Sequence, residues 1–137
     1  MRVLLNLVTA GTFLAAATAS QAGCFRCDPI FNVNDAPVAS ATGKPLTDEQ
    51  VKAAIIRAGA ALGWQMREVG PGKLAGSISL RKHQADIEIP YSTKTFSIHY
   101  KSSINLDEAD GQIHKNYNGW IQNLSRGITA QVSAAGA

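Results

Sequence analysis

Charge is scarce in this sequence: 17% of its 137 residues are Asp, Glu, Lys or Arg, against roughly a quarter in an ordinary globular domain. The apolar fraction, 45%, is ordinary, so the shortage of charge does not signal wholesale disorder. Clusters of five or more basic residues are missing. Lys and Arg exceed Asp and Glu by 13 to 10, and Arg2 is the sole charged residue before position 23. Without that segment the excess falls to 12 against 10, too weak and too dispersed for nucleic-acid binding.

Other shortages exclude further classes. The apolar stretch near the start, Val3 to Ala17, is broken by Asn6, Thr9 and Thr12 and is too short to span a bilayer comfortably. G-x-S-x-G, H-E-x-x-H and phosphate-loop patterns are absent, and no carboxylate pair marks a cleft, so no catalytic residue and no cofactor are expected. The three histidines, His83, His99 and His114, fall on two strands and a helix, which does not bring ligands to one point, so no metal is expected. Asn105, Asp107 and Asp110 fail the calcium-loop spacing, with Ala109 where an oxygen ligand belongs and Asn116 where the bidentate Glu belongs, and read as turns and a helix cap.

What is present begins with an address. Arg2, the apolar stretch and the small residues of Ser20-Gln21-Ala22 make residues 1–22 a signal peptide, so the protein is expected to be exported. Cleavage after Ala22 starts the mature chain at Gly23. Ala22-Gly23-Cys24 also resembles the end of a bacterial lipobox, although Gln21 stands where an aliphatic residue is usual. Cys24 is therefore expected to carry a lipid anchor; the other reading closes a Cys24–Cys27 disulfide. If lipidated, Phe25 after the anchor implies the periplasmic side of the outer membrane by the lipoprotein sorting rule; otherwise the protein is periplasmic or secreted. Residues 23–44, rich in Pro, Asn, Ala, Ser and Gly, read as a tether, or as an arm laid on the domain through Ile30, Phe31 and Val33.

Residues 45–132 read as one domain. Thr47 and Gln50 form a capping box with Leu46 and Val51 as its staple, and Val51, Ala54, Ile55, Ala58 and Leu62 recur at helical spacing up to Gly63. Four alternating strands follow, around Trp64–Met66, Leu74–Leu80, Ile87–Tyr91 and Phe96–Tyr100. The expected register pairs Leu80 with Ile89 and Ile89 with Ile98, with a bulge or open edge at Pro90. Asp110-Gly111 reads as the turn and cap of a second helix with a stripe of Ile113, Tyr117, Trp120, Ile121, Leu124 and Ile128; residues 133–137 should fray. The expected fold is α+β: a two-layer α-β-β-β-β-α chain, a four-stranded antiparallel meander with both helices on one face.

That register places Arg81, Glu88 and His99 in one row on the open face, and His83, Asp86 and Lys101 in the next. They are the candidate surface for an envelope protein or cell-wall component. A second candidate is a polar patch of Ser102, Asn105, His114, Asn116 and Asn118, either binding a small ligand or fixing the second helix to the connection at 102–106.

The segment Tyr100-Lys101-Ser102-Ser103-Ile104-Asn105-Leu106, with Ile113-His114-Lys115-Asn116-Tyr117-Asn118-Gly119-Trp120-Ile121-Gln122-Asn123-Leu124, resembles a family of small proteobacterial lipoproteins and exported proteins. The likeness extends back through Arg81-Lys82-His83, Pro71-Gly72 and Gly63-Trp64 and covers about residues 46–132. It implies an envelope location and a lipid anchor, and no particular chemistry.

Overall fold

The computed structural model describes residues 24–136 together with Gly11, so the expected signal peptide lies, Gly11 apart, outside the described residues. In chain order the elements are β1 (Cys27–Pro29), β2 (Val33–Pro37), α1 (Asp48–Ala61), β3 (Gln65–Gly70), β4 (Lys73–Leu80), β5 (His83–Pro90), β6 (Thr95–Ile104), β7 (Gln112–His114) and α2 (Lys115–Ala135). A five-stranded antiparallel sheet has the order β2-β6-β5-β4-β3, and β1 pairs with β7 in a small second sheet. The fold is α+β with one helix near each end of the domain.

Local chemistry explains α1. The Gln50 N–H donates to Thr47 Oγ1 at 3.1 Å and the Thr47 N–H donates to Gln50 Oε1 at 2.9 Å, closing both halves of the capping box. At the other end Gly63 takes φ +89, open to glycine at little cost. Lys52 bonds Glu49 at 3.0 Å and Glu68 of β3 at 3.2 Å, which holds its ammonium above the usual lysine range and ties α1 to an edge strand.

Both helices cover the same face of the sheet. Val51, Ala54, Ile55 and Ala58 from α1, and Tyr117, Ile121, Leu124, Ile128 and Val132 from α2, form one core with Leu74, Ile78, Ile87, Ile89, Phe96 and Ile98. Burying that many large aliphatic side chains, at about 1.5–3 kcal/mol each, is the main force joining the layers. Tyr117 is fully buried and meets Tyr100 edge-on, with ring centroids 5.5 Å apart at 87°.

The fold differs from its expected form in four places. First, the segment read as a tether or a packed arm takes the second form: β2 is the fifth strand, paired with β6, and Ile30, Val33, Ala36 and Val38 pack on the core, while Phe31 stays exposed. Asp35, at φ +51, breaks the alternation of β2 with a bulge, and its N–H donates to Ser97 Oγ at 3.0 Å. Second, the β4–β5 hairpin turns at Arg81-Lys82, so Leu80 stands opposite His83 and Leu74 opposite Ile89. The expected Leu80–Ile89 pairing is off by an even number of residues, which leaves every side chain on its expected face. The β5–β6 offset agrees with the expected one at Ile87 and Glu88, with Glu88 opposite His99, but a bulge puts Ser102 instead of Lys101 opposite Asp86, and the ladder to β6 stops short of Pro90. Third, α2 starts at Lys115 and is capped by His114, because residues 112–114 are drawn into β7 by β1. Fourth, α2 continues to Ala135 where fraying was expected, and Thr42 Oγ1 donates to the Gly136 carbonyl at 3.0 Å.

Candidate functional site

With both helices on one side, the other face of the sheet is open. Along β4 and β5 the outward positions are Ala75, Ser77 and Ser79 opposite Glu88, Asp86 and Gln84. Asp86 is the centre of this face. Ser77 Oγ donates to its Oδ1; Ser102 Oγ donates to Oδ2 at 3.2 Å, and Gln84 Nε2 to the same oxygen at 3.4 Å. A bulge after Asp86 brings Ser102 opposite it and lets Lys101 reach Glu88 Oε1 at 3.4 Å, while Lys73 approaches Glu88 Oε2 at 3.7 Å. Arg67 of β3 completes the rim of a shallow depression of about 250 Å³ over Ser77, Asp86 and Ser102. Arg67 makes no ion pair among the described residues, so it is the cation this face leaves uncommitted.

The expected rows are partly assembled. Glu88 and His99 are cross-strand neighbours, and Asp86 and Lys101 border one depression. Arg81 is not in its row: it sits in the hairpin turn at φ +57, far along the strand from Glu88. His83 leaves the other row to bond the Asn105 carbonyl at 2.7 Å through Nδ1. Arg67 and Ser77, which sequence reasoning missed, take these places. The signal was their outward alternation beside Ala75, usable once the turn is set at Arg81-Lys82.

The expected polar patch separates into four. Ser102 belongs to the sheet face. Asn105, at φ +59, donates from Nδ2 to the Lys82 carbonyl at 2.7 Å and clips the hairpin. His114 Nδ1 accepts from the Asn116 N–H at 3.2 Å and caps α2, and the His114 N–H donates to the Leu106 carbonyl at 2.8 Å, so the start of the helix is fixed to the connection at 102–106 through backbone. Asn118 does not reach the connection at 102–106. It accepts from the Phe31 N–H and donates to the Pro29 carbonyl, both at 2.9 Å, and so clamps the arm that follows β1. Between that arm and α2 runs a groove of about 690 Å³, bordered by Phe31, Asn116, Trp120 and Asn123.

His99 Nε2 bonds Asn34 Oδ1 at 3.0 Å, so each histidine has a different local partner and the three do not converge. Among the described residues no group of three or more His, Cys, Asp and Glu is arranged to hold a metal ion. Cys24 and Cys27 are joined by a disulfide, with Cα atoms 5.3 Å apart. No described helix is long and apolar enough to cross a membrane.

Fold and site together define a small two-layer α+β domain with one polar, open sheet face. Comparison with protein-family models, curated proteins and solved structures finds no match to this chain.

Proposed function

We propose that this chain is an exported protein of the bacterial envelope whose domain binds a carboxylate-bearing protein partner on its open sheet face. The observation that carries the reading is Arg67, uncommitted beside the Ser77–Asp86–Ser102 cluster. A guanidinium offers a planar fork of donors that fits a carboxylate in two-point contact. Asp86 spends both oxygens on Ser77, Ser102 and Gln84, and no histidine adjoins either serine hydroxyl, an arrangement suited to recognition more than to nucleophilic chemistry. The signal-like start supports the location.

The disulfide favours a mature form without lipid. A sulfur bonded to Cys27 cannot also carry a thioether, and β1 holds Cys27 against β7 with no tether between. The binding reading is tested by Arg67→Glu combined with Lys101→Glu. Both side chains are on the surface, so the melting temperature should hold while partner capture from envelope extract falls at least about tenfold. Undiminished capture would overturn the assignment of this face.

A further inference from the structure

The groove beside α2 shares no residue with the sheet face, and a helix-interior glycine points to what it does. Gly119 lies in the second turn of α2, where glycine is a poor helix former. A Cβ built on it would meet nothing within 4 Å. Gly127, further along the same helix, is different: there a Cβ would touch Ala58 and Leu62 at 3.6 Å, so the close crossing of α1 accounts for a small residue. No neighbour in the chain requires Gly119 to be small. Bare backbone at this point leaves the floor of the groove open for a close-fitting ligand.

The walls say which ligand. One stripe of α2 presents Asn116, Gly119, Trp120 and Asn123, joined by Gln122, and Phe31 faces them from the arm; Asn123 Oδ1 already accepts from Arg126 Nη2 at 2.7 Å, which leaves its amide N–H groups for a ligand. Primary amides donate and accept in one plane, which matches acetamido and vicinal hydroxyl groups. A half-buried indole and an exposed phenyl ring offer flat apolar surfaces to sugar C–H faces. Of the lining residues only Asp28 and Lys115 are charged, with opposite signs, and the nearby Arg126 is engaged by Asn123, so the lining favours neutral groups. Peptide addition to the arm is blocked. The Phe31 N–H and the Pro29 carbonyl are taken by Asn118, and the Ile30 N–H donates to the Gly111 carbonyl at 2.9 Å.

We infer that this groove is a binding site for a neutral, N-acetylated oligosaccharide. The probe is the β-1,4-linked tetrasaccharide of N-acetylglucosamine, titrated into the mature protein while tryptophan fluorescence is followed. The chain has two tryptophans, and Trp64 is 3% exposed, so a saturable change reports Trp120. Gly119→Met should weaken binding by about tenfold or more, yet leave the melting temperature equal or higher, because the added side chain enters open space and favours the helix. Gly119→Ala should show the same stability with a smaller loss. No saturable change with the tetrasaccharide, equal binding by Gly119→Met, or binding of tetra-alanine in its place would each overturn the inference.

Discussion

Tyr117→Phe should make this protein more stable. The Tyr117 side chain is fully buried, and its hydroxyl has no hydrogen-bond partner among the described residues. A buried, unpaired hydroxyl costs about 1–3 kcal/mol of desolvation. Phenylalanine keeps the ring and its edge-on contact with Tyr100, so the substitution removes the penalty and little else. Allowing for the small void left behind, the net gain is about 1 kcal/mol, or roughly 4 °C in melting temperature for a domain of this size. Burial also pushes the Tyr117 phenol well above its ordinary range. The folded state then keeps a proton that the unfolded chain gives up near pH ~10. Stability attributable to Tyr117 is therefore full below that pH and declines above it, by up to about 1.4 kcal/mol per pH unit. Thermal unfolding of both proteins at neutral pH and at about pH 11 measures both effects. The Phe variant should melt higher at each, by the wider margin at high pH. A variant that melts lower at neutral pH would mean the hydroxyl has a partner, and the reasoning would fail.

Three further outcomes follow from other parts of the fold. Asn118→Ala removes both bonds that hold the arm to α2, at about 1–2 kcal/mol in sum, and amide exchange should quicken across residues 27–37 before the rest of the sheet; uniform exchange would refute the clamp. Gly76→Ala should cost about 1–3 kcal/mol in urea unfolding, since a Cβ there would sit 2.9 Å from Met66 Sδ and 3.0 Å from Ile87 Cγ1; a neutral result would mean Met66 moves aside freely. Intact mass of the mature protein should show a chain starting at Gly23 with both thiol hydrogens lost, whereas diacylglycerol on Cys24 would refute the disulfide form.

The parts of the fold legible in the sequence are those written in local periodicity. Thr47 and Gln50 announce α1, and the alternation through Ile87, Ile89, Phe96 and Ile98 sets the inner strands and their buried face. The β4–β5 turn was not legible because Arg81 adopts a left-handed backbone with no Gly, Asn or Asp to mark it. The arm was legible as a packed alternative through Ile30 and Val33, but its strand was not, for a related reason. Asp35 interrupts β2 with a bulge and Pro37 ends it, so an edge strand reads as a loop. Its pairing with β6 is a long-range contact that no local pattern encodes. That omission also hid β7, which exists because β1 lies beside it, and with it the true start of α2 at Lys115. The site followed the same division. Glu88 and His99 depended on an inner-strand offset and were placed correctly. Arg67 and Ser77 depended on the misplaced turn.

The most direct test of binding through the open sheet face is site-specific photocrosslinking in living cells. One crosslinker replaces Ser79, exposed on β4 beside the depression; the other replaces Ala60, exposed on α1 in the opposite layer and outside the α2 groove. The sheet-face account predicts a discrete adduct from position 79, lost with Arg67→Glu, and none from position 60. An adduct from position 60 alone would contradict it.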